Sequence, residues 1–141
     1  MAVTITEYSA CKKYRHDGTL DLNSATIKAA LVTSSYTPDA ANHDTWSDVS
    51  ANEVATGNGY TTGGVSLTGL SVTNTEWDAD NASWSSLTKT FRYIVLYASG
   101  TYNGVVDPLI AYILPDNTPA DITVTATDYY LVWDASGIAT F

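Results

Sequence analysis

The sequence predicts an all-β protein, and three observations support this. Short segments of alternating or β-branched and aromatic residues recur along the chain, and Gly, Asn, Asp or Pro closes each of them. Helical periodicity is nearly absent. The 141 residues are enough for one hydrophobic core. We therefore expect a single antiparallel β-sandwich domain over residues 1–141, of the jelly-roll type.

Nine segments carry the strand pattern and together match the strand number of a two-sheet sandwich. Both alternating faces of residues 91–97 are largely apolar, which is typical of a strand that is covered on both sides. We therefore expect Phe91, Tyr93, Val95 and Tyr97 to form one face of a central strand. The nine segments are 3–8, 26–33, 65–73, 82–86, 90–98, 109–114, 122–126, 129–133 and 138–141.

Loops and one helical turn are expected between these segments. Residues 56–64 contain glycines at 57, 59, 63 and 64, which predicts a surface loop with positive φ angles. Residues 115–119 contain two prolines with Asp and Asn, which predicts a turn. Ser50 and Glu53 have the spacing of a capping box, which predicts one short helical turn near 44–55.

Charge and cysteine content exclude several classes of protein. The formal charge is -9 and the pI is about 4.2, so the chain should repel nucleic acid and anionic lipid. Cys11 is the single cysteine, so neither an internal disulfide nor a paired-cysteine zinc site is expected. No signal peptide or membrane span is apparent, so we expect a soluble protein made in the cytoplasm.

The residues that enzymes use are not arranged for catalysis. His16 and His43 lie far apart and lack a second ligand at metal-binding spacing. Ser136 lacks the first glycine of a nucleophile elbow. We therefore expect a protein that is not an enzyme and uses no cofactor.

Three alternating carboxylates leave two interpretations open. Glu76, Asp78 and Asp80 would share a face of an extended segment, where they could bind a hard cation or act as a carboxylate pair on a glycan. The alternative is a solvated acidic turn, which is the usual fate of a charge run.

A basic cluster near the N-terminus is the candidate partner-binding site. Lys12, Lys13, Tyr14 and Arg15 stand together in an otherwise acidic chain. They form either a contact to an acidic partner or a solvated turn. Residues 1–16 are accordingly expected to serve as a docking or exchanged terminal segment.

Several segments, in order and spacing, resemble a family of small, uncharacterised virion proteins of tailed bacteriophages. They span most of the chain from residue 27 onward. The matching segments are 27–38 (IKAALVTSSYTP), 47–54 (SDVSANEV), 59–65 (GYTTGGV), 90–93 (TFRY), 96–97 (LY), 109–112 (LIAY) and 133–138 (WDASGI).

The resemblance implies a component of the phage particle with no assigned catalytic residue. Small all-β proteins of this size look like capsid decoration, or cement, proteins, which bind the head shell as trimers. We therefore expect a homo-oligomer, with a trimer favoured, bound to the major capsid protein on the phage head. The alternative is a tail, baseplate or fibre module that contacts the host surface.

Overall fold

The computed structural model describes residues 3–140, which form twelve strands, one α-helix and two 3₁₀ turns. The helix is α1 (Ser9–His16), and the 3₁₀ turns are Trp46–Asp48 and Ser50–Asn52. The strands are β1 (Thr4–Glu7), β2 (Ile27–Val32), β3 (Val65–Ser66), β4 (Ser71–Val72), β5 (Glu76–Asp78), β6 (Ala82–Phe91), β7 (Tyr93–Ala98), β8 (Thr101–Tyr102), β9 (Val105–Val106), β10 (Leu109–Leu114), β11 (Ile122–Leu131) and β12 (Ala139–Thr140).

The largest sheet has five antiparallel strands in the order β1-β10-β7-β2-β3. β7 lies at its centre, where Val95 is opposite Ala30 of β2 and Tyr112 of β10. β1 forms one edge and pairs with β10, from Thr4 opposite Leu114 to Glu7 opposite Ala111. The register at this edge decides which groups of β1 face outward.

Both faces of this sheet are covered, as the apolar run 91–97 predicts. Tyr93, Val95 and Tyr97 pack on one side, against the segment that carries Tyr36 and the 3₁₀ turns. Ile94, Leu96 and Ala98 pack on the other side in the larger core cluster.

Phe91 does not share the face of Tyr93, Val95 and Tyr97, so that part of the prediction is wrong. β6 ends at Phe91 and β7 begins at Tyr93, and the Arg92 N–H donates to the Val32 carbonyl between them. The chain therefore turns at Arg92, and Phe91 joins the larger core cluster instead.

The larger cluster is closed by a second layer of strands. β6 pairs with β11 as a long two-stranded ribbon, and β12-β5-β4 form a three-stranded sheet. Trp77, Trp84 and Phe91 are buried between these strands and the five-stranded sheet. The strands thus form four sheets, counting the β8–β9 hairpin, where two were expected.

The all-β prediction is confirmed, and its details differ in places. The expected helical turn near 44–55 is present as the two 3₁₀ turns, and glycines 57, 59, 63 and 64 have positive φ. The segments 122–126 and 129–133 form mostly one irregular strand, β11. Met1, Ala2 and Phe141, which the segments 1–16 and 138–141 include, lie outside the described residues. The single described α-helix is too short to cross a membrane.

Candidate functional site

The basic cluster lies on α1, where the sequence predicted a docking contact or a turn. Cys11 and Tyr14 are three residues apart, so both face the core and are buried. Lys12 and Lys13 are exposed, and the Lys13 Nζ lies 5.7 Å from the centre of the Tyr14 ring. Only the two lysines therefore present their charge freely to solvent.

Arg15 is held by a carboxylate of its own chain. Its guanidinium donates to Oε1 of Glu7, with a distance of 3.1 Å from Nε. Because Glu7 belongs to β1, this ion pair ties the end of the edge strand to the helix that follows it. Both side chains are partly exposed. The residues 3–16 that were expected to reach a neighbour are thus built into this chain's own sheet and core.

Cys11 is enclosed beside this ion pair. Its side chain is fully buried, and no disulfide involves it. Burial, followed by the nearby charge of Glu7, raises the pKa of the thiol to about 12. A thiol in this environment is a poor nucleophile because little thiolate exists near neutral pH.

The outer edge of β1 presents unpaired backbone groups. The Tyr8 N–H donates to the Ile110 carbonyl at 3.0 Å. In the register of β1 and β10, this bond means that Tyr8, Thr6 and Thr4 direct their backbone groups towards β10. Since alternate residues of an antiparallel strand face opposite edges, the N–H and C=O groups of Ile5 and Glu7 point away from β10. In the described part of the chain, no strand pairs with this outer edge.

Apolar side chains are exposed beside the same edge. Val3 is 59% exposed and Ile5 40%, and Val132, just beyond β11, is 66% exposed. Val3, Ile5 and the segment 131–134 line one depression of about 290 Å³. Exposed apolar groups that gather in one place mark a candidate interaction surface.

A groove continues from this depression along β1; we call it the β1 groove. A second depression, of about 380 Å³, lies between Ile5 and Glu7 on one side and residues 134–140 on the other. A more enclosed apolar cavity of about 110 Å³ adjoins both and is lined by Ile5, Leu22, Trp77 and Ile138, with the Glu7–Arg15 pair. The groove is therefore bounded by β1 and by the chain between β11 and the end of β12.

Trp77, which lines this cavity, has an unpaired indole N–H. The residue is only 3% exposed, and its Nε1 has no acceptor among residues 3–140. The Nε1 of Trp133 contrasts with it, because it donates to the Asp80 carbonyl at 3.0 Å. A buried N–H without a partner costs about 1–3 kcal/mol. The Nε1 of Trp84 is also unpaired, but Trp84 does not line the groove.

The three alternating carboxylates do not form a cation site. Glu76 and Asp78 belong to β5, but Asp80 follows the strand and accepts a hydrogen bond from the Thr68 hydroxyl at 3.0 Å. No group of three or more metal-ligating side chains comes together within residues 3–140.

The two histidines are also separate, as expected. His16 is exposed at the end of α1. His43 Nδ1 lies 2.8 Å from the Tyr36 hydroxyl, which lies 2.8 Å from the Tyr8 hydroxyl. This chain of hydrogen bonds satisfies buried tyrosines and links the segment around His43 to the start of α1.

Sequence reasoning singled out residues of α1, whereas the structure adds a groove beside β1. It identified Lys12 to Arg15 from their charge and missed the groove, because the groove joins β1 to residues more than 120 positions away. One usable signal was present, since residues 3–7 combine strand alternation with a lack of Pro, Gly and Lys. Neither protein-family models, curated proteins nor solved structures show a match to this chain.

Proposed function

We propose that this protein is a non-enzymatic structural component of a tailed-bacteriophage particle. The favoured role is a capsid decoration protein that binds the head shell. The observation that carries the proposal is the β1 groove, an unpaired strand edge beside exposed Val3, Ile5 and Val132. An unpaired apolar edge of this kind is a liability in a free monomer and is useful in an assembly.

The resemblance to phage virion proteins supports the proposal that this surface belongs to a phage particle. Two of its motifs have structural roles: segment 27–38 contains the buried β2, and segment 109–112 lies in β10. These motifs fix the two strands that flank the central β7. The motifs therefore belong to the framework of the five-stranded sheet.

Polar residues that a hydrolase would need are engaged in local structure. The Ser136 hydroxyl lies 2.7 Å from Asp134 Oδ1, which also accepts the Ser136 N–H. His43 is bonded to Tyr36, away from both. These contacts favour a binding role for the chain over catalysis.

Oligomerisation would strengthen attachment to a shell. A chain of 15.1 kDa offers a limited area, and a standard interface uses about 800 Å² per partner. A symmetric trimer on a threefold position multiplies modest contacts by avidity. We therefore propose a homotrimer as the bound form and the major capsid protein as its partner.

The test is to locate and count the chain in purified particles of the phage that encodes it. A copy number comparable to that of the major capsid protein, and binding of purified protein to undecorated heads, would support the decoration role. Light scattering of the free protein would report the expected trimer. Co-purification with tails and no binding to heads would refute the decoration role.

One observation favours the runner-up, a tail, baseplate or fibre module. β11 presents the exposed aromatic ring of Tyr130 next to Val132, and aromatic side chains are common in contacts to host-surface glycans and proteins. A copy number far below that of the capsid protein would support this alternative. Loss of host adsorption on Tyr130→Ala, with particle assembly intact, would support it further.

A further inference from the structure

We propose that the β1 groove binds an extended segment of a partner protein as an added β-strand. The segment would be one in which apolar and basic residues alternate. This inference deepens the proposed function, because it names the chemistry that the docking surface recognises. Its placement in a phage particle rests on that proposed function. Strand addition uses backbone hydrogen bonds for affinity and side-chain pockets for specificity, and the groove offers both.

The backbone contribution comes from Ile5 and Glu7. Their N–H and C=O groups face outward, so an incoming antiparallel strand can form four hydrogen bonds with them. β1 has four residues and spans roughly 13 Å, which matches four or five residues of partner chain. The depression between β1 and residues 134–140 provides room for that chain.

The side-chain contribution comes from the apolar cavity beside Ile5. In strand β1, the side chains of Ile5 and Glu7 lie on the same face as their opposite residues Ile113 and Ala111, which belong to the larger core cluster. A partner strand in register would place alternate side chains on that face. The cavity of about 110 Å³ is of the size of one apolar side chain.

The charge of the groove selects a basic partner. Glu7 is neutralised by Arg15, but Asp134 on the opposite wall is exposed. Hydrogen bonds from the Ser136 N–H and hydroxyl lower the pKa of Asp134, so this carboxylate stays ionised. The chain as a whole carries a charge of -9. Lysine or arginine between the apolar residues of the segment therefore complements the groove.

A second copy of this chain fits the groove less well. Its own β1 carries Glu7 and no lysine or arginine, and its free lysines 12 and 13 lie on a helix. Each copy carries a net charge of -9, so pairing two β1 edges would bring like charges together. A trimer of this chain would accordingly use another surface.

The experiment uses the full-length protein and three synthetic heptapeptides. The probe has alternating valine and lysine around a central leucine. One control replaces the central leucine by proline, and the other replaces the lysines by glutamate. Titration gives the dissociation constants, while NMR follows amide hydrogen exchange at Ile5 and Glu7 and the indole N–H resonance of Trp77.

We expect the basic peptide to slow exchange at Ile5 and Glu7 and to shift the Trp77 indole resonance. Both control peptides should bind at least tenfold more weakly. The substitution Ile5→Lys, which places a charge on the face that receives the apolar side chains of the segment, should weaken binding at least tenfold. The matched substitution Val106→Lys, at a side chain that is 58% exposed in β9, should leave binding unchanged. Similar thermal melts would show that both variants fold.

Three results would overturn the inference. Equal binding of the proline peptide would exclude strand addition, and equal binding of the glutamate peptide would exclude the basic chemistry. Slow exchange at Ile5 and Glu7 without any peptide would show that the edge is already covered, and its dependence on protein concentration would identify a second copy as the cover.

The particle experiment separates this inference from the proposed function. If the chain decorates heads but Ile5→Lys binds them as well as the native protein does, the groove is not the docking site and the decoration role stands. If the chain is missing from particles but binds the basic peptide through Ile5 and Glu7, the groove inference stands and the phage role fails.

Discussion

Truncation of Val95 to alanine tests the position of β7 at the centre of the fold. Val95 is fully buried on the face that packs against Tyr36, and its cross-strand neighbours are Ala30 and Tyr112. The substitution removes two methyl groups, which are worth about 1.6 kcal/mol in transfer free energy. Because strands on both sides hold the backbone in place, the site cannot collapse, and the remaining cavity raises the expected loss to about 2–3 kcal/mol.

The assay is urea unfolding followed by tryptophan fluorescence. With an m-value of about 2 kcal/mol/M, the midpoint should fall by roughly 1–1.5 M. The control is Val106→Ala, since Val106 is exposed in the short β8–β9 hairpin and should change the stability by less than about 0.5 kcal/mol. An unchanged midpoint for Val95→Ala, or an equal loss at Val106, would refute the central position of the strand.

Three further changes test the core and its buried groups. Gly64→Ala should destabilise the protein by about 3 kcal/mol or more in urea unfolding, because a Cβ there would lie 2.0 Å from a backbone carbonyl oxygen of β2. The control is Gly104→Ala, where φ is similar but a Cβ would have no atom within 4 Å, so this substitution should cost only about 1 kcal/mol. Cys11→Ser should leave head binding and oligomeric state intact, and the native thiol should react with a disulfide reagent only on unfolding. Stability should be constant between about pH 7 and pH 9 and fall towards pH 12. Burial raises the pKa values of Cys11 and Tyr97 from 9.0 and 10.0 to about 12, so the unfolded chain loses these protons first. A urea midpoint that is equal at about pH 8 and pH 11 would contradict this.

Strands were predictable where the sequence marks both their composition and their ends. The segment 109–114 matches β10, because Pro108 and Pro115 bracket an apolar run. The boundary between β6 and β7 was not predictable in the same way. The apolar residues continue through Phe91 and Tyr93, and neither glycine nor proline marks the turn at Arg92. A tertiary contact, the bond from Arg92 N–H to Val32, sets the break instead.

Two of the elements that were missed, α1 and the β8–β9 hairpin, were missed for different reasons. α1 has eight residues and only Cys11 and Tyr14 facing the core, so its periodicity is too short to stand out beside a run of basic residues. The β8–β9 hairpin did carry a signal, because Asn103 and Gly104 both have positive φ, as a two-residue hairpin turn requires. Asn-Gly between Tyr102 and Val105 was therefore enough to predict it.

The candidate site was predictable only in part because it depends on contacts between distant segments. Charge alone singled out Lys12, Lys13, Tyr14 and Arg15. The fold then buries Tyr14 and pairs Arg15 with Glu7, and both outcomes follow from the position of α1 beside β1. A linear pattern does not specify which charges will meet.

The two edges of the five-stranded sheet differ in a way that bears on function. The β3 edge has only two residues, and the loop before it is held by Glu53, whose carboxylate accepts hydrogen bonds from the Tyr60 hydroxyl and the Gly63 N–H. The β1 edge is longer and contains no proline, lysine or bulge, and its one charge, on Glu7, is paired with Arg15. Selection for a soluble monomer alone would favour protection of both edges. An open edge beside an apolar cavity is what the proposed strand addition requires.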